Sequence, residues 1–246
     1  MTDPTIRTAL VTGASRGIGA AIAARLAREG LNVVVNYAGS EAAAVDIVSK
    51  IQADGGRAIS ARADVSDATD VKRLFDCAET EFGGIDVLVN NAGIMKLAKI
   101  EDSDDDLFDT QVAVNLKGTF NTLREASARL SDGGRIINLS TSVVGLKLET
   151  YAVYAGLKAA VETMTGIMAK EMRGRNITVN AVAPGPTATA LFLDGKPEEL
   201  VQKMSKIPPL ERLAAPEDIA NVVAFLAGSD GGWINGQILR ANGGLI

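Results

Sequence analysis

Thr8-Ala9-Leu10-Val11-Thr12-Gly13-Ala14-Ser15-Arg16-Gly17-Ile18-Gly19 decides the fold. The uncharged run up to Thr12 reads as a buried strand. From Gly17 to Glu29 the chain is rich in Ala, Ile, Leu and Arg, a helix that Gly30 closes. A glycine turn between a strand and a helix exposes backbone N–H groups at the positive end of the helix, where a phosphate binds. The glycines let the backbone approach such a ligand closely. The spacing is G-x-x-x-G-x-G, not the G-x-G-x-x-G of long-chain dinucleotide enzymes. A glycine turn alone is weak; its place on the first strand of a βαβ unit gives it meaning.

Outward from this turn, short apolar runs alternate with amphipathic ones. Strands are expected at Asn32–Tyr37, Arg57–Ala63, Asp86–Asn90, Arg135–Ser140, Ile177–Ala183 and Gln237–Arg240. Helices are expected at Glu41–Ala53, Asp67–Phe82, about Ser103–Leu130, and Tyr151–Met172. Strands apolar on both faces, alternating with helices, mean a parallel sheet covered on both sides. With right-handed crossovers this is an α/β, Rossmann-like doubly wound sheet. No linker or repeat divides it, so residues 1–246 read as one domain. The stretch Pro184 to Pro209 holds five of the seven prolines and follows a strand end. It reads as an active-site flap, centred on 186–208.

Composition removes several chemistries. There is no histidine, so imidazole acid–base catalysis, Ser–His–Asp hydrolysis and His-ligated zinc are out. The single cysteine, Cys77, allows neither an internal disulfide nor a thiolate cluster. Proton chemistry must run on Tyr, Lys, Asp, Glu or water. A net charge of −5 argues against a nucleic-acid or anionic-membrane partner. With no secretory signal and no run of roughly 18 apolar residues, a soluble cytoplasmic protein is expected. The acidic run Glu101–Asp106 reads as a helix start capped by Ser103 rather than as a metal site.

Tyr154-Ala155-Gly156-Leu157-Lys158 is the centre of the functional case. Residues four apart on a helix share a face. A neighbouring ammonium lowers a tyrosine pKa from about 10, giving an acid/base without histidine. A hydroxyl from Ser140-Thr141-Ser142 stands ready for the same substrate oxygen. Asn90-Asn91-Ala92-Gly93 follows the fourth strand. Asn115 sits within an apolar helix, either as a satisfied structural amide or as a group positioning a water.

In this order the T-G-x-x-x-G-x-G turn, N-N-A-G, mid-helix Asn, hydroxyl cluster, Y-x-x-x-K and Pro184-Gly185 resemble the short-chain dehydrogenase/reductase family across essentially the whole chain. Within it the chain is similar to the single-domain branch of 3-oxoacyl-(acyl-carrier-protein) reductases. It does not resemble the enoyl reductases, whose active-site Tyr and Lys are set farther apart. The resemblance implies that Tyr154 exchanges the proton, and that Lys158 lowers its pKa and holds the nicotinamide ribose. Asn115 would anchor a relay water and Ser142 would orient the substrate oxygen. Gly13, Ser15, Arg16, Gly17, Ile18 and Gly19 would surround the cofactor phosphates and ribose. Asp64 and Val65 would meet the adenine, and Asn91, Ala92 and Gly93 its ribose. Pro184, Gly185, Thr187 and Thr189 would line the nicotinamide end. Tyr151 lacks a lysine partner, because the residue four further on is Ala155. The family usually places its serine thirteen residues before the tyrosine, a position occupied here by Thr141. Ser142 is chosen because Ser142-Val143-Val144-Gly145 matches the residues after the family's serine; Thr141 and Ser140 remain alternatives.

The expected cofactor is NADPH. The second strand ends Asn36-Tyr37-Ala38-Gly39-Ser40, without the acidic residue that holds both ribose hydroxyls in NAD enzymes. Asn36 and Ser40 would donate to a 2′-phosphate, and Arg16 would add a charge-assisted contact. The expected substrate is a 3-oxoacyl thioester, as in fatty acid synthesis. Rivals are another ketone (a sugar, polyol, steroid or aromatic polyketide) and a non-catalytic NADPH sensor. Arg173 and Arg175 are candidates for docking an acyl carrier protein. The resemblance also implies a homotetramer.

Overall fold

Alternate residues of one strand point to opposite faces, and both faces of this sheet are covered. Ala9 and Val11 pack on one side with Val33, Val35, Val87 and Val89. Leu10, between them, packs on the other with Val34, Leu88 and Ile136. That is why the strands read as unbroken apolar runs. The computed structural model describes residues 6–246. Its strands are β1 (Thr8–Val11), β2 (Asn32–Tyr37), β3 (Arg57–Arg62), β4 (Ile85–Asn90), β5 (Leu130–Leu139), β6 (Thr178–Pro184) and β7 (Ile238–Ala241). They form one seven-stranded sheet, ordered β3-β2-β1-β4-β5-β6-β7. Every pairing is parallel. The chain leaves β1 toward β3, then returns to β4 on the other side of β1. At such a reversal a crevice opens beyond the strand ends, where ligands of this architecture bind.

The helices that frame it are α1 (Gly17–Arg28), α2 (Glu41–Ala53), α3 (Ala68–Phe82), α4 (Asp105–Gln111), α5 (Gly118–Arg129), α6 (Val143–Leu146), α7 (Ala152–Glu171), α8 (Ala190–Leu193), α9 (Glu198–Ser205) and α10 (Pro216–Ala227). Ile22 and Leu26 of α1 meet Ile219, Val223 and Leu226 of α10 on one face. Val71, Leu74 and Phe75 of α3, Leu123 of α5 and Met168 of α7 cover the other. No described helix is long and apolar enough to cross a membrane.

Three expectations need correction. The long helix at Ser103–Leu130 is α4, a π-helical segment Val112–Lys117, and α5, and Leu130 already opens β5. The α4 cap is Asp104, whose carboxylate accepts from Leu107 N–H at 2.8 Å, rather than Ser103. The helix α10 was not foreseen, although Pro216 opens it and Asp218 accepts from the Ala215 N–H at 2.8 Å, both start signals.

Candidate active site

The strand ends hold two adjoining cavities. The first, about 350 Å³, is lined by Gly13, Ser15, Arg16, Gly17, Ile18, Asn36, Tyr37, Ala38, Ser40, Asp64, Val65, Asn91, Ala92 and Gly93. The second, about 220 Å³, holds Ser140, Thr141, Ser142, Tyr154, Lys158, Pro184, Gly185 and Thr187. Ile18, Asn91, Gly93 and Thr189 line both. Of the expected residues, Gly19 and Asn115 line neither; both act on the walls from behind.

The first cavity is built for an extended phosphate-bearing ligand. Helix α1 has no acidic residue in its first turn and no side-chain cap, so its N-terminal N–H groups and positive dipole end face the cavity. Gly13 has φ +60°, and a Cβ there would stand 2.8 Å from Ala92 Cα. At Gly19 a Cβ would collide with the Asn91 amide. The turn and the Asn91–Gly93 loop thus meet backbone to backbone. Asn91 Nδ2 donates to Thr12 O and Gly13 O at 2.9 Å, and Thr12 Oγ1 accepts from Asn91 and Ala92 N–H at 3.0 Å.

At the far end Asn36 does not do what its position promised. It is 1% exposed. Its Nδ2 donates to Ala61 O at 3.2 Å and Ala63 O at 3.1 Å, and its Oδ1 accepts from Gly13 N–H at 3.1 Å. The amide is a strut between β2, β3 and the glycine turn, with no donor left for a phosphate. Ser40 stands at the N-cap of α2 with its hydroxyl unused in capping. Arg16 is exposed and lines the same cavity. These two fit a 2′-phosphate.

In the second cavity α7 carries Tyr154 and Lys158 one turn apart. Lys158 is 4% exposed and donates to Leu139 O at 2.7 Å. Burial lowers its pKa to about 8. Burial, with a smaller contribution from Tyr151, raises that of Tyr154 to about 12. The expected lowering of the Tyr154 pKa by Lys158 is therefore not what this arrangement gives. The ammonium is aimed at the β5 carbonyl, and desolvation dominates both groups. Tyr154 is a neutral phenol at pH 7, the form that donates a proton.

Asn115 is fully buried in the π-helical segment. Its Oδ1 accepts from Ile94 N–H at 2.9 Å and its Nδ2 donates to Ile94 O at 2.8 Å. Both ends of the amide bond the Ile94 backbone, so the side chain holds this loop. A Cβ on Gly93 would lie 3.1 Å from Asn115 Oδ1 and 3.7 Å from Lys158 Nζ, so these three residues meet between the cavities.

The hydroxyl cluster divides its bonds. Ser140 Oγ donates to Glu162 Oε1 at 2.6 Å. Ser142 Oγ donates to Ala183 O at 3.1 Å and accepts from Asn242 Nδ2 at 3.0 Å. Thr141 Oγ1 accepts only a long bond from Val143 N–H, at 3.3 Å, and its proton has no acceptor among the described residues. Of the three hydroxyls, all on the second cavity, Thr141, the position given by the ungapped count, is thus the one whose proton is unassigned, while Ser142 holds Asn242 and Ala183.

Arg175 donates to Asp132 Oδ1 at 2.8 Å and to Ser127 O at 2.6 Å, and also bonds Leu130 O. It fastens the end of α7 to the start of β5 instead of standing free for a partner. The sequence reading missed the cavity's other walls: Met95, Leu146, Leu148, Phe192, Met204, Ile207 and Leu245. Residues of loops and short turns, the flap among them, carry no periodicity that tells which space they will face. Asn242 was also missed. Its Oδ1 accepts from Gly244 N–H at 3.1 Å and Leu245 N–H at 3.2 Å, seating Leu245 on the cavity.

A family model described as enoyl-(acyl carrier protein) reductase matches residues 13–246. A short-chain type dehydrogenase/reductase of Picea abies is 46% identical over 250 residues, covering 98% of this chain and 92% of the relative. An NADPH-dependent aldehyde reductase-like chloroplastic protein of Arabidopsis thaliana is 44% identical, covering 98% and 94%. The crystal structure of the angucycline C-6 ketoreductase LanV with bound NADP superposes with a TM-score of 0.92 at 39% identity, covering 97% of this chain and 95% of that one.

Proposed function

The chain belongs to the short-chain dehydrogenase/reductase family, and from that premise we propose that it is an NADPH-dependent carbonyl reductase acting on apolar ketones. One observation carries the reading: Tyr154 and Lys158 stand one helical turn apart in an apolar cavity that adjoins the phosphate-binding turn. When bound, the dihydronicotinamide supplies the hydride. The glycine turn and α1 hold the pyrophosphate, Arg16 and Ser40 the 2′-phosphate, and Asp64 and Val65 border the adenine. Lys158 reaches the nicotinamide ribose. Tyr154 donates its phenolic proton to the substrate oxygen as negative charge develops there. Thr141 donates a second hydrogen bond to that oxygen, as an oxyanion-hole donor does. Asn115 is a positioning residue that fixes Gly93 against Lys158. Pro184, Gly185, Thr187 and Thr189 close the nicotinamide end, and the flap at 186–208 excludes water.

The similarity to an aldehyde reductase-like protein and an angucycline ketoreductase, both named with NADP(H), supports the cofactor and the carbonyl. The apolar walls support a ketone of low polarity over a sugar or polyol. A 3-oxoacyl thioester is the second reading, favoured by the sequence resemblance. The four-residue spacing of Tyr154 and Lys158 supports C=O over C=C reduction, whatever the name of the matching family model.

The test is NADPH consumption with aryl ketones, aliphatic aldehydes, acetoacetyl-CoA and crotonyl-CoA. Turnover of carbonyls but not of crotonyl-CoA is expected, with Tyr154→Phe losing turnover while still binding NADPH. Near-native rates in Tyr154→Phe would sink the mechanism.

A further inference from the structure

Five of the hydroxyl and ammonium groups around the second cavity have assigned work. Ser140 is held by Glu162, Ser142 by Ala183 and Asn242, and Lys158 donates to Leu139 O. Tyr154 serves the reacting carbonyl, as does Thr141. One polar group is left over. Tyr151 lines the same cavity, and its ring centroid lies 6.5 Å from that of Tyr154, edge-on at 65°. The residue is 9% exposed. Burial is the only influence on its acidity, which it lowers; no charge and no hydrogen-bond partner among the described residues offsets the desolvation. The Tyr151 oxygen is not among the buried unpartnered atoms, so it opens on the cavity, and with no hydrogen bond to a described residue it suits a ligand that pairs with it.

The backbone around it is held in place. Tyr151 is the N-cap of α7, and its carbonyl accepts from Ala155 N–H at 2.8 Å. Thr150, just before it, has φ +70°, a left-handed conformation that a β-branched residue rarely takes. The Thr150 carbonyl accepts from Ala98 N–H at 3.2 Å, tying this turn to the loop after β4. Strain kept at a cavity wall points to a side chain whose direction matters.

We propose that Tyr151 is a substrate-positioning residue, its hydroxyl pairing with a second, uncharged oxygen of the substrate, so that the preferred substrates are aromatic or fused-ring ketones bearing a hydroxyl or second carbonyl. The proposal rests on the reductase reading above. A phenol both donates and accepts, so it serves either oxygen. The neighbouring walls, Leu146, Leu148, Phe192, Met204 and Ile207, are apolar and suit the flat remainder of such a molecule.

The test compares 1-tetralone with its ring-monohydroxylated isomers in the unmutated protein and in Tyr151→Phe. The readout is the ratio of specificity constants, hydroxylated over plain, within each protein. NADPH binding by fluorescence checks that the variant is folded. At least one isomer is expected to exceed 1-tetralone about tenfold in the unmutated protein, chiefly through KM, and Tyr151→Phe should reduce that ratio about tenfold. Calorimetry with the matching naphthol and naphthalene should show the same loss in Kd. Equal ratios in the two proteins, or no advantage for any isomer, would overturn the proposal. No turnover of any ketone by the unmutated protein would instead overturn the reductase reading on which it rests.

Discussion

Thr141, Ser140 and Ser142 are chemically near-equivalent, and only the bonds they make in the fold separate them. A hydroxyl has one proton, and Ser142 directs its own to Ala183 O. Thr141→Val should therefore lower kcat a hundredfold or more, the usual loss for an oxyanion donor. Ser142→Ala should act mainly on stability, by about 1–3 kcal/mol, because it strips partners from Asn242 Nδ2 and Ala183 O. Thermal melts and kcat for the two variants decide between them; a larger kcat loss for Ser142→Ala would assign the substrate oxygen to Ser142. Lys158 sets the pH dependence. With its pKa lowered to about 8, it is an ammonium below that pH and neutral above it. Tyr154, near 12, stays protonated throughout. The kcat/KM for reduction should thus be level at neutral pH and fall as pH rises through about 8. A profile level to pH 10 would remove the Lys158 charge from the reaction. The sequence made Tyr154 and Lys158 legible because one helical turn is a local relation. It did not make Thr141, Asn36 or Asn115 legible, since their roles depend on Val143, Ala61, Ala63 and Ile94, contacts that no spacing rule encodes.

The N-terminus of α2 shows the same limit for elements. From sequence, Asn36, Ser40 and Arg16 were expected at a 2′-phosphate, which would make Asn36→Asp a way to change cofactor. The structure makes Asn36→Asp a poor choice, since a carboxylate would face the Ala61 and Ala63 carbonyls. Ser40→Asp is the better substitution. Aspartate is as good an N-cap as serine, so α2 is retained, while its charge repels a 2′-phosphate. Losing one charge-assisted contact costs about 1.5–3 kcal/mol, so kcat/KM for NADPH should drop tens to a few hundredfold, with NADH much less affected. Arg16→Ala should lower the same ratio. Unchanged ratios in both variants would place the phosphate elsewhere. The regular elements were readable because apolar periodicity reports burial on both faces of the sheet. The π-helical segment was not, because Asn115 and its neighbours keep an ordinary helical pattern while the amide is drawn to Ile94. The helix α10 is legible in its Pro216 and Asp218 start signals, which stand just after the proline-rich flap.

On the scale of the whole molecule, the surface carries two sets of apolar residues that a lone chain would leave in water. Phe108 on α4, Phe120 on α5 and Ile167 on α7 are 49%, 47% and 53% exposed. Phe225 on α10 and Ile238 on β7 are 42% and 40% exposed, and Trp233, in the loop between those elements, is 99% exposed. The second set lies by the sheet edge, where β7 offers unpaired backbone groups that soluble proteins usually cover. Each set suits a two-fold contact with another copy, and two distinct two-fold interfaces generate the homotetramer expected from the family. Trp233 makes this testable, because it is the only tryptophan. Light scattering should give four times the 25.6 kDa chain at micromolar concentration. Tryptophan emission should lie to the blue of a solvated indole and move to the red on dilution. Trp233→Asp should leave dimers held through the α4–α5 face, with the fold and NADPH binding retained. A monomer at micromolar concentration would overturn both interfaces. A tetramer whose Trp233 emission does not change on dissociation would overturn only the one at β7, since an indole that remains in water cannot be part of the contact.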